Sequence, residues 1–142
     1  MKIPLLLLDR ALSPPRHSHE GDGGVDLRAR ESVVVDPGKR FAMPTGVAVA
    51  VPDGFAGLVT PRSGLAARHG VTVLNAPGLV DAGYRGEIEV ILANLGDEPY
   101  RVERGDRIAQ LVVVPVAVQE YEIVDTLPDS DRGEGGFGST GR

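Results

Sequence analysis

The sequence predicts an all-β sandwich or barrel carrying one short helix. Three observations predict it. Short β-branched segments recur about every ten residues, the spacing typical of small sandwiches and barrels. The 19 glycines and 11 prolines fall between those segments as turn formers, and their combined share lies below the level that marks disorder. Helix-favouring residues bounded by a start and a stop signal occur at one place, residues 63–70.

The elements follow in order. Pro4–Leu8 is an apolar run. Val25–Ala29 alternates Val25, Leu27 and Ala29 with Asp26 and Arg28, as a strand with one buried face does. Ser32–Val35 ends at the turn Asp36-Pro37-Gly38, and Phe41–Pro44 follows. Val47, Val49 and Val51 lead to the turn Pro52-Asp53-Gly54, then to Phe55–Thr60. Ser63 is a good N-cap, Leu65, Ala66 and Ala67 favour helix, and Gly70 suits a left-handed C-terminal residue. Val71–Leu74, Glu87–Leu95, Tyr100–Val102, Arg107–Val114 and Val116–Val124 complete the strands.

At 142 residues the chain suits one domain with a core of its own. Residues 1–124 read as that β domain. Residues 125–142 form a separate segment with almost no β-branched residues and a glycine-rich end. Such a segment cannot bury enough apolar area to offset its backbone entropy, so by itself it is a flexible tail. Phe137, Ser139 and Thr140, flanked by Arg132 and Arg142, give it chemistry that a plain end would lack.

Composition also excludes. A net charge of −5 provides no long-range attraction for nucleic acid or an anionic membrane. With no cysteine, there is neither a disulfide framework nor a thiolate zinc site. Leu5–Leu8 is too short for a spanning helix or a signal core, and Asp9 and Arg10 close it. The chain reads as a cytosolic, hence cytoplasmic, protein.

Four stretches could carry chemistry. Pro61-Arg62-Ser63-Gly64 joins a strand to a helix start. It is either a plain cap with a surface arginine, or an anion grip of free N–H groups, a close-approach glycine and a guanidinium fork. Gly78–Val90 reads as a hairpin with Asp81 and Tyr84 near its bend. Asp81 is either bonded to its own turn or free to take a proton from water, and Tyr84 can lie against a sugar. Gln110, inside an apolar strand after the charged turn Arg104-Gly105-Asp106, faces either a ligand or a neighbouring strand. Glycines and hydroxyls of the tail can wrap phosphates, and Phe137 can stack on a base. Asp26, after the glycine-rich 20–24, is either structural or holds water around a divalent ion. His17, His19 and His69 show no metal-ligand pattern.

Each stretch is weak alone, but their order is specific. Gly24-Val25-Asp26-Leu27-Arg28-Ala29, Pro61 to Gly64 with Leu65-Ala66, Asn75 through Gly86, Gly105 to Leu111 and Arg132 to Gly141 together resemble the five ordered motifs of the trimeric dUTPase family. The resemblance implies a distorted jelly-roll β-barrel, a homotrimer with active sites shared between subunits, and Mg²⁺-assisted hydrolysis of dUTP to dUMP and pyrophosphate. It gives Asp81 the role of general base. It gives Tyr84 the place under deoxyribose, and Asn75 with the backbone near Leu79 and Glu89 the reading of uracil. Arg62, Ser63, Gly64 and Gln110 match phosphate-contacting positions. Asp26 matches a position that reaches Mg²⁺ through water, the ion being held mainly by the triphosphate. Arg132, Phe137, Gly138 and Ser139 match a closing lid. Gly23 stands where the family often has alanine.

Two rivals exist. The related dCTP deaminases need a glutamate at the position of Ile91, and their helix usually starts Arg-Ser-Ser where this chain has Arg62-Ser63-Gly64. A non-catalytic nucleotide-sensing or regulatory trimer is opposed by the intact Asp81 and the complete tail.

Overall fold

The computed structural model describes residues 1–134. It contains eleven strands and one helix among those residues: β1 (Leu5–Leu7), β2 (Gly24–Arg28), β3 (Val33–Val35), β4 (Arg40–Pro44), β5 (Val47–Val49), β6 (Phe55–Pro61), α1 (Ser63–His69), β7 (Val71–Val73), β8 (Gly78–Val80), β9 (Glu89–Asn94), β10 (Tyr100–Val102) and β11 (Arg107–Pro115). The predicted β class with one short helix is what forms. Every strand pairing among them is antiparallel.

The strands form a four-stranded sheet in the order β2-β11-β6-β8, a three-stranded sheet β4-β9-β7, and the pairs β1-β5 and β10-β3. These are separate sheets, consistent with a jelly roll, and they do not close into one barrel. Val, Leu and Ile side chains from their inner faces meet in one core, in which Leu27, Met43, Val90, Leu92, Val102 and Ala109 are wholly buried. Each large side chain buried there contributes roughly 1.5–3 kcal/mol relative to exposure. Asn94, also wholly buried, has its amide fully used. It donates to the carbonyls of Val35 and Glu98, each at 2.8 Å, and accepts the Gly96 N–H at 2.9 Å. A buried amide is tolerated only on those terms.

Three expectations need correction. Val116–Val124 is not a strand: beyond the Val116 N–H on the Gly54 carbonyl at 2.9 Å it runs over the surface, with Val118 87%, Tyr121 86% and Ile123 99% exposed. It joins none of the sheets formed by the described residues. Ser63 is not the N-cap. Arg62 is, in an extended conformation, and its carbonyl already accepts the Leu65 and Ala66 N–H groups. The stop signal holds, since Gly70 is left-handed at φ 66°. The third correction concerns 78–90. β8 pairs with β6 while β9 pairs with β4 and β7, so this stretch crosses between two sheets and is not a paired hairpin.

The N-terminal segment is tied down by charge. Asp9 accepts from Arg104 Nη1 at 2.7 Å and lies 3.5 Å from Arg30 Nε. The Arg104 hydrogen bond, aided by the Ala11 N–H and the charges of Arg104 and Arg30, lowers the Asp9 carboxyl to about 2 against the opposing effect of desolvation. A depressed carboxyl pKa stabilises the fold above its unfolded value, about 4, and that contribution is lost as pH falls through about 2. Thermal melts of the wild type and Asp9→Asn should therefore differ at pH 6 and converge between pH 4 and pH 2. A gap that persists unchanged at pH 2 contradicts the ion pair as its source.

Candidate functional site

The predicted site residues gather in two clusters on either side of β6. The first is polar. Cross-strand register sets Gln110 opposite both Asp26 on β2 and Thr60 on β6, placing the three side by side near the end of the sheet. Arg62, one residue beyond β6, turns its guanidinium onto Asp26 Oδ1 at 3.1 Å and onto the Arg107 carbonyl at 3.3 Å. Arg107 reaches the other Asp26 oxygen at 3.3 Å. Asp26 thus has an arginine on each carboxylate oxygen, and its own side chain is only 12% exposed. Ser63 and Gly64 follow at the start of α1, with the Arg68 guanidinium lying against Gly64. No local pattern singles out Arg107. It lies 81 residues from Asp26 and only the β2–β11 ladder brings them together.

The second cluster surrounds a cavity of about 270 Å³, close to the lower end of small-molecule sites at about 300 Å³. Asn75, Leu79, Tyr84 and Glu89 all line it, with Val59 and Ile91 at its apolar wall. The Asn75 amide packs across Gly78, whose missing side chain leaves that room. Asp81 sits between two lining residues. It follows Val80, and its carbonyl accepts the Tyr84 N–H at 3.0 Å, closing a four-residue turn. The carboxylate itself is exposed and takes no hydrogen bond among the described residues, so it is open to water. The Tyr84 ring lies over Gly86, where any Cβ would overlap the phenol, and its hydroxyl donates to the Glu87 carbonyl at 2.8 Å. Ile91, at the position where a deaminase needs a glutamate, presents only hydrocarbon to the cavity.

No residue of the Asp26–Arg62–Gln110 group lines the cavity. Arg132 lies among the described residues outside any strand or helix, whereas Phe137, Gly138 and Ser139 lie outside the described residues.

Among the described residues no group of three His, Cys, Asp or Glu is arranged to hold a metal ion. Asp26, already paired with two arginines, suits a hydrogen bond to the water shell of a cation better than direct coordination. Mg²⁺ keeps several waters and is often carried by substrate phosphates. Among the described residues the donor set therefore fits a hydrated Mg²⁺ brought by a polyphosphate better than an ion held by protein ligands alone. Among the same residues no helix is long and apolar enough to cross a membrane.

Residues 11–141 match the family described as dUTPase. The deoxyuridine 5'-triphosphate nucleotidohydrolase of Thermobifida fusca is 55% identical over 142 residues, covering 99% of this chain and 79% of that protein. The protein of the same name from Streptomyces avermitilis is 57% identical over 145 residues, covering 99% of this chain and 83% of the relative. Among solved structures, the dUTPase of Staphylococcus bacteriophage 80alpha with bound dUpNHpp superposes with a TM-score of 0.92 at 31% identity, covering 99% of both chains. A mutant dUTPase from phage phi11 of S. aureus, whose structure concerns the coordination of a structural Mg(II) ion, gives 0.82 at 27% identity, covering 89% of this chain and 98% of the other. With the family matched along almost the whole sequence and more than half of the residues shared with these bacterial relatives, the chain belongs to the dUTPase family.

Proposed function

We propose that this protein hydrolyses dUTP to dUMP and pyrophosphate, with Asp81 as the general base. The observation that carries this reading is the cavity that sets Asn75, the backbone near Leu79 and Glu89, and the Tyr84 ring around one space, with Asp81 on the turn beside it. Asn75 and the two backbone segments read the edge of uracil. A narrow cavity leaves no room for the methyl group of thymine, and cytosine would present a donor where the site already presents one. Tyr84 lies beneath deoxyribose. The Asp81 carboxylate takes a proton from the water that attacks the α-phosphorus in line, and pyrophosphate leaves from the opposite side.

Arg62, Ser63, Gly64 and Gln110 bind phosphate oxygens. In that state Arg62 shares its fork between Asp26 and the nucleotide. Bound Mg²⁺ would neutralise charge on the triphosphate and orient it, and Asp26 would hold one of its waters. Arg132, Phe137, Gly138 and Ser139 close over the nucleotide, Phe137 on the base and the others at the γ-phosphate end, which excludes bulk water.

The active form is a homotrimer of jelly-roll subunits. Two observations support it. No residue of the phosphate cluster lines the base cavity of one chain, which suits sites that neighbouring copies complete. Val118, Tyr121 and Ile123 are more than four-fifths exposed on a segment patterned as a strand but unpaired, which suits a segment laid along another copy. Ile91 at the cavity wall favours hydrolysis at phosphorus over deamination of a base. The resulting activity limits uracil incorporation into DNA and supplies dUMP for thymidylate synthesis, in the cytoplasm.

The decisive assay is pyrophosphate release from dUTP, dCTP, dTTP and UTP, with and without Mg²⁺. Rapid turnover of dUTP alone, dependent on Mg²⁺, is the expected result; comparable turnover of dCTP or dTTP contradicts it. Tyr84→Ala should lower the preference for dUTP over UTP roughly tenfold or more, the effect of removing a ring of this size from under a sugar being about 1–2 kcal/mol or above. The ratio of kcat/KM for the two substrates is the measurement, and an unchanged ratio removes Tyr84 from the sugar site.

A further inference from the structure

A half-exposed ring is a poor wall unless something holds it. Tyr84 has solvent on one side, and its hydroxyl is fixed by a hydrogen bond to the Glu87 carbonyl at 2.8 Å. That carbonyl belongs to a residue whose side chain is clamped elsewhere. The Glu87 carboxylate accepts from Arg30 Nη1 at 3.0 and 3.3 Å, and from the Gly46 N–H at 2.7 Å. The next residue is held as well. The Ile88 carbonyl accepts the Thr45 hydroxyl at 2.7 Å, and the Ile88 N–H donates to the Val47 carbonyl at 2.9 Å. Arg30 is in turn oriented by Asp9. Gly46 joins these groups. Its carbonyl accepts the Leu8 and Asp9 N–H groups, its φ is +74°, and a Cβ there would come within 2.9 Å of the Asp9 Cβ.

We propose that Glu87 is a positioning residue for sugar selectivity: clamped by Arg30 and Gly46, it fixes the carbonyl that holds the Tyr84 ring in place beneath deoxyribose. The proposal rests on Tyr84 lying against the sugar. Rejecting one added oxygen requires a surface that does not yield, because an apolar contact that can shift makes room for a hydroxyl at little cost. A clamp built from three segments distant in sequence, at Arg30, Gly46 and Glu87, keeps the ring from yielding.

The test is kcat/KM for dUTP and UTP with the full-length wild type, Glu87→Gln, Tyr84→Phe and the double variant, each checked by thermal melt. Glu87→Gln keeps the size and the acceptor for Gly46 but loses the charge facing Arg30. The dUTP/UTP ratio should fall about threefold to tenfold, the weight of one hydrogen bond, and the change should appear as a lower KM for UTP. The double variant should be no worse than Tyr84→Phe, since both act through one bond. An unchanged ratio in Glu87→Gln, or effects that add in the double variant, overturns the proposal. Should Glu87→Gln melt below the assay temperature, Arg30→Lys, which keeps the charge but loses the fork, must lower the ratio in its place, and an unchanged ratio there overturns it equally. A wild type that hydrolyses dUTP and UTP alike refutes the sugar role of Tyr84 itself, a different failure seen before any variant is compared.

Discussion

Asp81→Asn is expected to stop pyrophosphate release almost completely while dUTP still binds. Asparagine matches aspartate in size and can occupy the same turn, where the backbone bond from Tyr84 to residue 81 does not involve the side chain. What it cannot do is accept a proton from water. A positioned general base is worth about 10²–10⁴ in rate, so kcat should fall by that factor. The affinity for a non-hydrolysable dUTP analogue should change far less, because the groups proposed to read the base and bind the phosphates lie on other residues. The pair of measurements is steady-state pyrophosphate release and a binding titration. Turnover within about twofold of the wild type would take the base role away from Asp81, since a base contributes far more than that.

The second large effect concerns assembly. Val118 and Ile123 are 87% and 99% exposed in the single chain. If this segment lies along another copy, each side chain is buried there and contributes about 1.5–3 kcal/mol. Replacing both with aspartate removes that gain and sets charges where apolar surface should be. Val118→Asp/Ile123→Asp should therefore weaken association about a thousandfold or more, since each 1.4 kcal/mol or so is a factor of about ten. Turnover should fall with it if, as proposed, neighbouring copies complete each other's sites. Light scattering together with the dUTP assay decides the matter. A variant of trimer mass with full activity would show that the segment contributes nothing to assembly, and a monomer with full activity would show that one chain suffices.

Local signals in the sequence were enough for most strands and the helix. A β-branched run bounded by Pro, Gly or Asp marks a strand wherever a partner is available, as for β6 between Pro52-Asp53-Gly54 and Pro61. Val116–Val124 carries the same pattern and forms no strand, because pattern states a preference whereas a strand also needs a neighbour. Gly78–Val80 and Glu89–Asn94 are near in sequence and yet enter different sheets. The residues between them are enough for the chain to cross, and periodicity cannot tell a crossing from a hairpin. At the site, Asn75, Leu79, Tyr84 and Glu89 line one cavity; the bend of the stretch pointed to Tyr84, whereas the other three were named only through the resemblance to an ordered motif. The pairs Arg62–Asp26, Arg107–Asp26 and Arg30–Glu87 were not legible, since their members are 36, 81 and 57 residues apart. No local pattern marks a charge pair at such separation.

The crossing from β8 to β9 has a mechanical consequence. Among the described residues no strand ladder joins the four-stranded sheet to the three-stranded one, yet the cavity takes Val59, Leu79 and Val80 from the first, and Glu89 and Ile91 from the second. A nucleotide seated there touches both layers at once and acts as a rivet through them. Any sliding of one layer over the other would cost binding energy, so occupancy should stiffen the whole body as well as the stretch proposed to hold the base. Backbone amides along β4 and β7 would then exchange with solvent more slowly whenever the cavity is filled.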